Sequence, residues 1–259
     1  SSAASDVYKR QAIQEQAEKL IHPCFHVAMY EPYIALAERL CGLVPISGEK
    51  KAMFANSGAE AVENSIKIAR RFTKKTGIVS LECAFHGRTY MAMSITSKVK
   101  PYKNGFGPFN PDTYKLPTPY YYRDGFGYDN EVDFAIAWAD KFQTLLQGEW
   151  SGDTIAAVIA EPIQGEGGFI APPKEYYQEL EKICRKNHIL LIIDEVQAGF
   201  GRTGKLFAFE HYDIDPDLVV MSKSIAAGVP LSAVVGRAEI MDSAEPGGLG
   251  GTYGGSPLA

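Results

Sequence analysis

Three short apolar runs in this chain each lead directly into a polar or charged side chain, and no other feature constrains the fold as much. Ile155 to Ala160 leads to Glu161, Ile189 to Ile193 leads to Asp194, and Leu218 to Met221 leads to Ser222 and Lys223. Unbroken runs of this kind are how strands read when both faces are covered, as in parallel sheets layered with helices. In an open α/β sheet, ligands bind beyond the carboxyl ends of the strands. Two acids and a lysine delivered to one such edge therefore mark a reaction site.

The segments between and before these runs supply the covering layers. Helices are expected from Ala12 to Ile21, from Pro32 to Leu43, and from Ala59 onward, where Ala59, Val62, Ile66 and Ala69 form a stripe that Gly77 should end. Val132, Ala135, Ile136, Ala139, Phe142 and Leu146 make another stripe, and Pro173 to Asn187 another helix. Further strands are expected at Ala52 to Ala55 and at Gly77 to Cys83. Pro101 to Asn130 shows no period; its tyrosines argue for a packed, functional loop. The sum is an α/β fold with a mostly parallel sheet covered by helices. By position, 1–10 reads as a tail or remnant matching no element, 11–50 as an N-terminal helical segment, and 51–259 as the large α/β domain.

Charge and cysteines narrow the chemistry. The 26 basic and 31 acidic residues give a net charge of −5, with no basic run, so neither nucleic acid nor an anionic membrane is an expected partner. Cys24, Cys41, Cys83 and Cys184 are scattered, without metal-ligand spacing, so no metal is expected and a reducing, cytoplasmic setting is. No run is apolar for long enough to suggest a transmembrane helix.

The polar ends of the strands carry specific chemistry. A lysine at a buried strand end, held neutral by desolvation, can form a Schiff base, the chemistry of pyridoxal 5'-phosphate. Asp194 would face the ring nitrogen of such a cofactor and keep it protonated. Asn56-Ser57-Gly58-Ala59-Glu60 lies between strand and helix, and reads equally as an anion site or as an ordinary N-cap. Phe85 could lie over a planar ring, His86 beside it is a further candidate for binding the cofactor, and the planar fork of Arg88 suits a carboxylate. A core phenylalanine and a surface arginine are the plain alternatives. Glu161 and Glu166 bracket a turn ending in Gly167-Gly168; they could meet a substrate amine or an arginine, or be solvated acids. Gly199 to Gly204 matches G-x-G-x-x-G, but no strand runs into it and no helical period follows, which argues against a dinucleotide.

Taken together, NSGAEAVENSIKIAR (56–70), FHGRT (85–89), EPIQGEGGF (161–169), IIDEVQAGFGRTG (192–204), SKSIAAGVPLSAVVGRAEIM (222–241) and GGLGGTYGGSPLA (247–259) resemble the class III aminotransferases, pyridoxal-phosphate enzymes of fold type I. The segments occur in the family's order from about residue 11 onward. The resemblance implies that Lys223 holds the cofactor and shuttles a proton, and that Asp194 partners the ring nitrogen. It puts Val196 on the ring face, Gln197 at the ring hydroxyl, Phe85 stacked on the ring, and Ser57, Gly58 and Ala59 at the phosphate. Thr252 would reach the phosphate of a neighbouring subunit, implying a homodimer or a dimer of dimers. Arg88 would clamp a distal carboxylate, Glu166 would pair with a second arginine, and Glu161 would line the same pocket.

The nearest likeness is to members acting on 4-aminobutyrate. It implies transfer of nitrogen from that amino donor to a 2-oxo acid, 2-oxoglutarate, giving succinate semialdehyde and glutamate. Acetylornithine or ornithine transamination, and racemisation or epimerisation on the same scaffold, are the alternatives. Family members are longer, so the expectation is of a fragment lacking a C-terminal small domain and its second arginine.

Overall fold

The computed structural model describes residues 2–259. A seven-stranded sheet runs through the molecule, built from β1 (Lys50–Ala55), β2 (Gly77–Leu81), β3 (Thr113–Leu116), β4 (Ile155–Ala160), β5 (Leu190–Asp194), β6 (Leu218–Met221) and β7 (Ser232–Arg237), in the order β1-β7-β6-β5-β4-β2-β3. β3, β2, β4, β5 and β6 pair in parallel, while β7 is antiparallel to both β6 and β1. The helices are α1 (Ser2–Lys19), α2 (Glu31–Leu43), α3 (Gly58–Thr73), α4 (Tyr90–Ile95), α5 (Tyr121–Asp124), α6 (Glu131–Gly148), α7 (Lys174–Lys186) and α8 (Ala238–Met241).

The apolar runs become strands because helices cover both faces of the sheet. Leu191, Ile193, Val219, Met221 and Val235 point into a core shared with α6 and α7. Their neighbours Leu190, Ile192, Leu218, Val220 and Val234 point into a second core, with α3 and α4. Alternation at period two thus puts apolar side chains into both layers, so the strands carry no polar face. Among the described residues no helix is long and apolar enough to cross a membrane.

Several expectations are corrected. Residues 2–10, expected to match no element, are helical as part of α1. α3 ends at Thr73, because Lys74 takes the left-handed conformation (φ 60°) that closes a helix; Gly77 belongs to β2. β2 stops at Leu81, and Cys83 turns with φ 59°. Val132 and Ile136 are exposed on α6, and Phe134 takes the inward position. The loop 101–130 contains β3 and α5; β3 is only four residues long, too short for periodicity to reveal. β7 was not expected either, since Ser232 to Arg237 lay inside a segment read for its motif.

At the amino end of the sheet, Asp217 is buried. Its carboxylate accepts from the Leu191 N–H (2.8 Å) and the Arg185 guanidinium, and Arg237 Nε lies 3.3 Å away. Removing one member of a buried charge pair leaves the rest uncompensated. Asp217→Ala should lower the unfolding free energy by about 3 kcal/mol in urea denaturation. A change under about 0.5 kcal/mol, the range of ordinary surface substitutions, would contradict this account.

Candidate active site

The carboxyl ends of β4, β5 and β6 lie side by side and bring Glu161, Asp194 and Lys223 to one edge, as expected from the sequence. There they line a cavity of about 160 Å³ with Gly58, Ala59, Phe85, His86, Gly87, Val196, Gln197 and Ser222.

Asp194 is the last residue of β5, and is 3% exposed. One carboxylate oxygen accepts from the Val196 N–H (3.0 Å) and the other contacts His86 Nδ1 at 2.8 Å. An ionised carboxylate only accepts, so Nδ1 carries the proton. The other ring nitrogen of His86, Nε2, is buried without a partner among the described residues.

Lys223 departs from expectation. It is exposed on the cavity rim rather than buried, because the chain leaves β6 through Ser222 and turns with φ 46° into a single 3-10 turn. Its Nζ donates to Gln197 Oε1 (2.9 Å). Gln197 is packed in turn against Gly165: a Cβ there would lie 2.6 Å from the amide carbon of Gln197.

The junction from β1 to α3 is both an N-cap and an open donor site. Ser57 Oγ accepts from the Glu60 N–H (3.3 Å), and Glu60 Oε2 accepts from the N–H groups of Asn56 (2.6 Å) and Ser57 (3.0 Å). Ser57 therefore caps the helix and does not line the cavity. The N–H groups of Gly58 and Ala59 have no acceptor among the described residues, at the positive end of the helix. Gly58 is confined: a Cβ would come within 3.0 Å of Val196 Cγ1 and 3.6 Å of Ser222 Cβ.

Phe85 and His86 are held from behind by α4. The His86 N–H donates to Thr96 Oγ1 (3.0 Å), and Thr96 Oγ1 donates to the Ala92 carbonyl (2.9 Å). α4 is secured at both ends by opposite charges, as its dipole requires. Glu63 Oε1 accepts from Thr89 Oγ1 and from the N–H groups of Met91 and Ala92. At the other end Lys115 Nζ donates to the Ile95 carbonyl and Lys103 Nζ to the carbonyls of Ser94 and Thr96. Burial pushes the Lys115 ammonium down to about 7.

Two further acids are distinctive. Glu161 accepts from the N–H groups of Phe85 (3.0 Å) and Gly165 (3.2 Å), and burial pushes it up to about 7. Glu195 follows Asp194 but faces away from the cavity. One of its oxygens accepts from the Phe209 N–H (2.8 Å), the other has no partner among the described residues, and burial raises it to about 7.

The remaining expected residues lie outside this cavity. Arg88 lines a neighbouring cavity of about 460 Å³ with Tyr90, Met93, Pro101, Tyr102 and Phe106. Glu166 is exposed and meets the Tyr102 hydroxyl (3.3 Å), whereas Glu161, expected beside it, faces the inner cavity. Thr252 is exposed and borders neither cavity. Gly199 to Gly204 leads through turns to a 3-10 helix, Ala208–His211, and not to an α-helix, so the structural context of a dinucleotide fingerprint is missing. Sequence reasoning named Ser222 only as the residue before Lys223, and missed Gly87, Thr96 and Tyr102 as site residues. Gly87, at φ 136°, could have been found from its place between His86 and Arg88; Thr96 and Tyr102 carry no sequence signal.

The family model described as aminotransferase class-III matches residues 9–259. The chain belongs to the class III aminotransferases. It is 55% identical over 249 residues to a probable 4-aminobutyrate aminotransferase of Bacillus subtilis, covering 96% of this chain and 57% of that protein. It is 45% identical over 248 residues to a 5-aminovalerate aminotransferase of Pseudomonas putida, covering 96% of this chain and 56% of that protein. Among solved structures, an (S)-enantioselective omega-transaminase from Thermomicrobium roseum superposes with a TM-score of 0.90 at 37% identity, over 96% of this chain and 58% of that one. A PLP-bound amine transaminase from an uncultivated Pseudomonas species superposes at 0.89 with 29% identity, over 96% and 59% of the two chains. The chain thus spans somewhat over half the length of its relatives, and its fold is type I.

Membership of this family indicates pyridoxal phosphate as the cofactor. The residues present suit it: a buried carboxylate braced by an imidazole, two free backbone donors at a helix start, and a primary amine at the rim.

Glu195 gives a pH test of the buried layer under the site. Its folded pKa is raised from 4.5 to about 7, so the folded state holds its proton more tightly than the unfolded state. The stability contribution is complete below 4.5 and is lost as pH rises through about 7. The loss is on the order of 3 kcal/mol. Glu195→Gln should flatten that part of the stability profile in urea denaturation across pH, leaving the similar slope from Glu161. Equal slopes in the two proteins would rule this out.

Proposed function

We propose that the chain carries the cofactor half of an aminotransferase that moves nitrogen from an ω-amino acid, 4-aminobutyrate first, to 2-oxoglutarate, giving succinate semialdehyde and glutamate. The observation that carries the reading is the convergence of Asp194, Lys223 and the free N–H groups of Gly58 and Ala59 on one cavity, with Arg88 lining the next. The 55% identity to a probable 4-aminobutyrate aminotransferase supports this donor, and the relative named for 5-aminovalerate, one carbon longer, makes that compound the competing donor.

When bound, the cofactor supplies an electron sink for the charge that develops on the substrate carbon. Asp194, fixed by His86, keeps the ring nitrogen protonated. Phe85 and Val196 cover the ring faces, and Gln197 serves the ring hydroxyl. Gly58 and Ala59 donate to the phosphate from the start of α3, where Ser57 shapes the cap. Lys223 Nζ holds the cofactor and then carries a proton to and from the substrate carbon; its exposed rim position gives it room to swing. Arg88 takes the distal carboxylate, with Glu161 and Glu166 on the turn that follows β4. Thr252 is exposed, and in this reading it serves the neighbouring subunit of a homodimer.

The test is visible absorption of the purified chain with pyridoxal phosphate, followed by addition of 4-aminobutyrate or 5-aminovalerate. A protein-bound band that Lys223→Ala abolishes is expected, with 4-aminobutyrate bleaching it at the lower concentration. A band surviving in Lys223→Ala would refute the role of the lysine. Preferential bleaching by 5-aminovalerate would reassign the donor.

A further inference from the structure

Arg88 is charged and exposed, yet among the described residues it makes no hydrogen bond or ion pair with the protein. Two aromatic rings lie beside it instead. Its guanidinium carbon lies 5.1 Å from the centre of the Tyr102 ring and 5.9 Å from that of Phe85. The two rings are 4.9 Å apart and tilted. The Tyr102 hydroxyl donates to Glu166 Oε2 (3.3 Å). Lys98 Nζ approaches the same ring at 5.9 Å. Tyr102 is thus one side chain in contact with Phe85 of the inner cavity, with the cation of the outer one, and with the acid on the turn after β4.

The chemistry of this contact is specific. A guanidinium against ring faces is held in place without being neutralised, so its donors stay free for an anion. The rest of the outer cavity, Tyr90, Met93, Pro101 and Phe106, is largely apolar. A short aliphatic chain ending in a carboxylate matches such a pocket, whereas a bare alkyl end leaves the cation uncompensated.

We infer that Tyr102 is a specificity-determining residue. By holding Arg88 on its ring it presents the guanidinium to the carboxylate of an ω-amino acid, and so sets the preference for such substrates over amines without a carboxylate. This rests on the transamination reading above. Tyr102 acts through Arg88 and takes no part in proton movement.

The test compares binding of 4-aminobutyrate with binding of n-butylamine, which has no carboxylate, by calorimetry on the purified chain. The wild-type chain should prefer 4-aminobutyrate. Tyr102→Leu should reduce that preference roughly two- to fivefold by weakening 4-aminobutyrate alone, the size expected for losing a ring face under an exposed cation. Tyr102→Trp should restore it. Tyr102→Phe, which keeps the ring and loses only the bond to Glu166, should retain most of it and guards against a Leu variant that folds poorly. No preference in the wild-type chain, or an unchanged preference in Tyr102→Leu, overturns the inference. A preference that follows the ring while 4-aminobutyrate leaves the cofactor absorption unchanged supports the inference and counts against the proposed function.

Discussion

The contact between Asp194 and His86 is the constraint around which the site is organised. A carboxylate at the end of a fully buried strand is costly to keep ionised unless its oxygens are met by donors. Asp194 obtains one donor from the backbone of the turn it begins and one from an imidazole that arrives from the loop after β2. That second donor obliges the loop to fold inward, and Phe85 and Gly87 come with it to the cavity wall. The loop needs support in turn, and Thr96, α4 and the charges at both ends of that helix provide it. A single buried charge thus sets the arrangement of three separate stretches of chain.

Three neighbouring acids illustrate how environment divides labour among identical groups. Asp194 meets an imidazole, while Glu161 and Glu195 meet only backbone N–H groups and are pushed up to about 7 by burial. Glu195 joins the turn after β5 to the segment at Phe209, and Glu161 joins the turn after β4 to Phe85. These two act as ties between loops, and near neutrality part of their population carries a proton, which lessens the mutual repulsion of acids packed so closely.

The central strands were legible in the sequence because burial on both faces leaves no ambiguity in an unbroken apolar run. The polar residue ending each run was legible for the same reason, since parallel strands deliver their carboxyl ends to one edge. What escaped was set by tertiary context. β3 is four residues at the sheet edge, held by pairing with β2 rather than by its own pattern. The exposure of Lys223 follows from a left-handed turn that no local residue type announces. Ser57 was read as one of two things and is a cap, while the anion-ready donors belong to the two residues after it. Tyr102 lies in a stretch without periodicity, and only packing against Phe85 and Arg88 gives it meaning.

α4 has six residues, too few to persist as a helix in isolation, so it exists because its ends are held. One of those holds is Lys115, carried on β3, the outermost strand of the sheet. Sheet margins and short strands open more readily than the interior, and here such an opening has a route inward. Fraying of β3 takes Lys115 from the Ile95 carbonyl and leaves that carbonyl to Ser80 Oγ (2.9 Å), which loosens the end of α4 and reaches His86 through Thr96. An edge strand of four residues is in this way mechanically linked to the buried carboxylate of Asp194, and the lifetime of an ordered cavity depends on how often that strand comes undone.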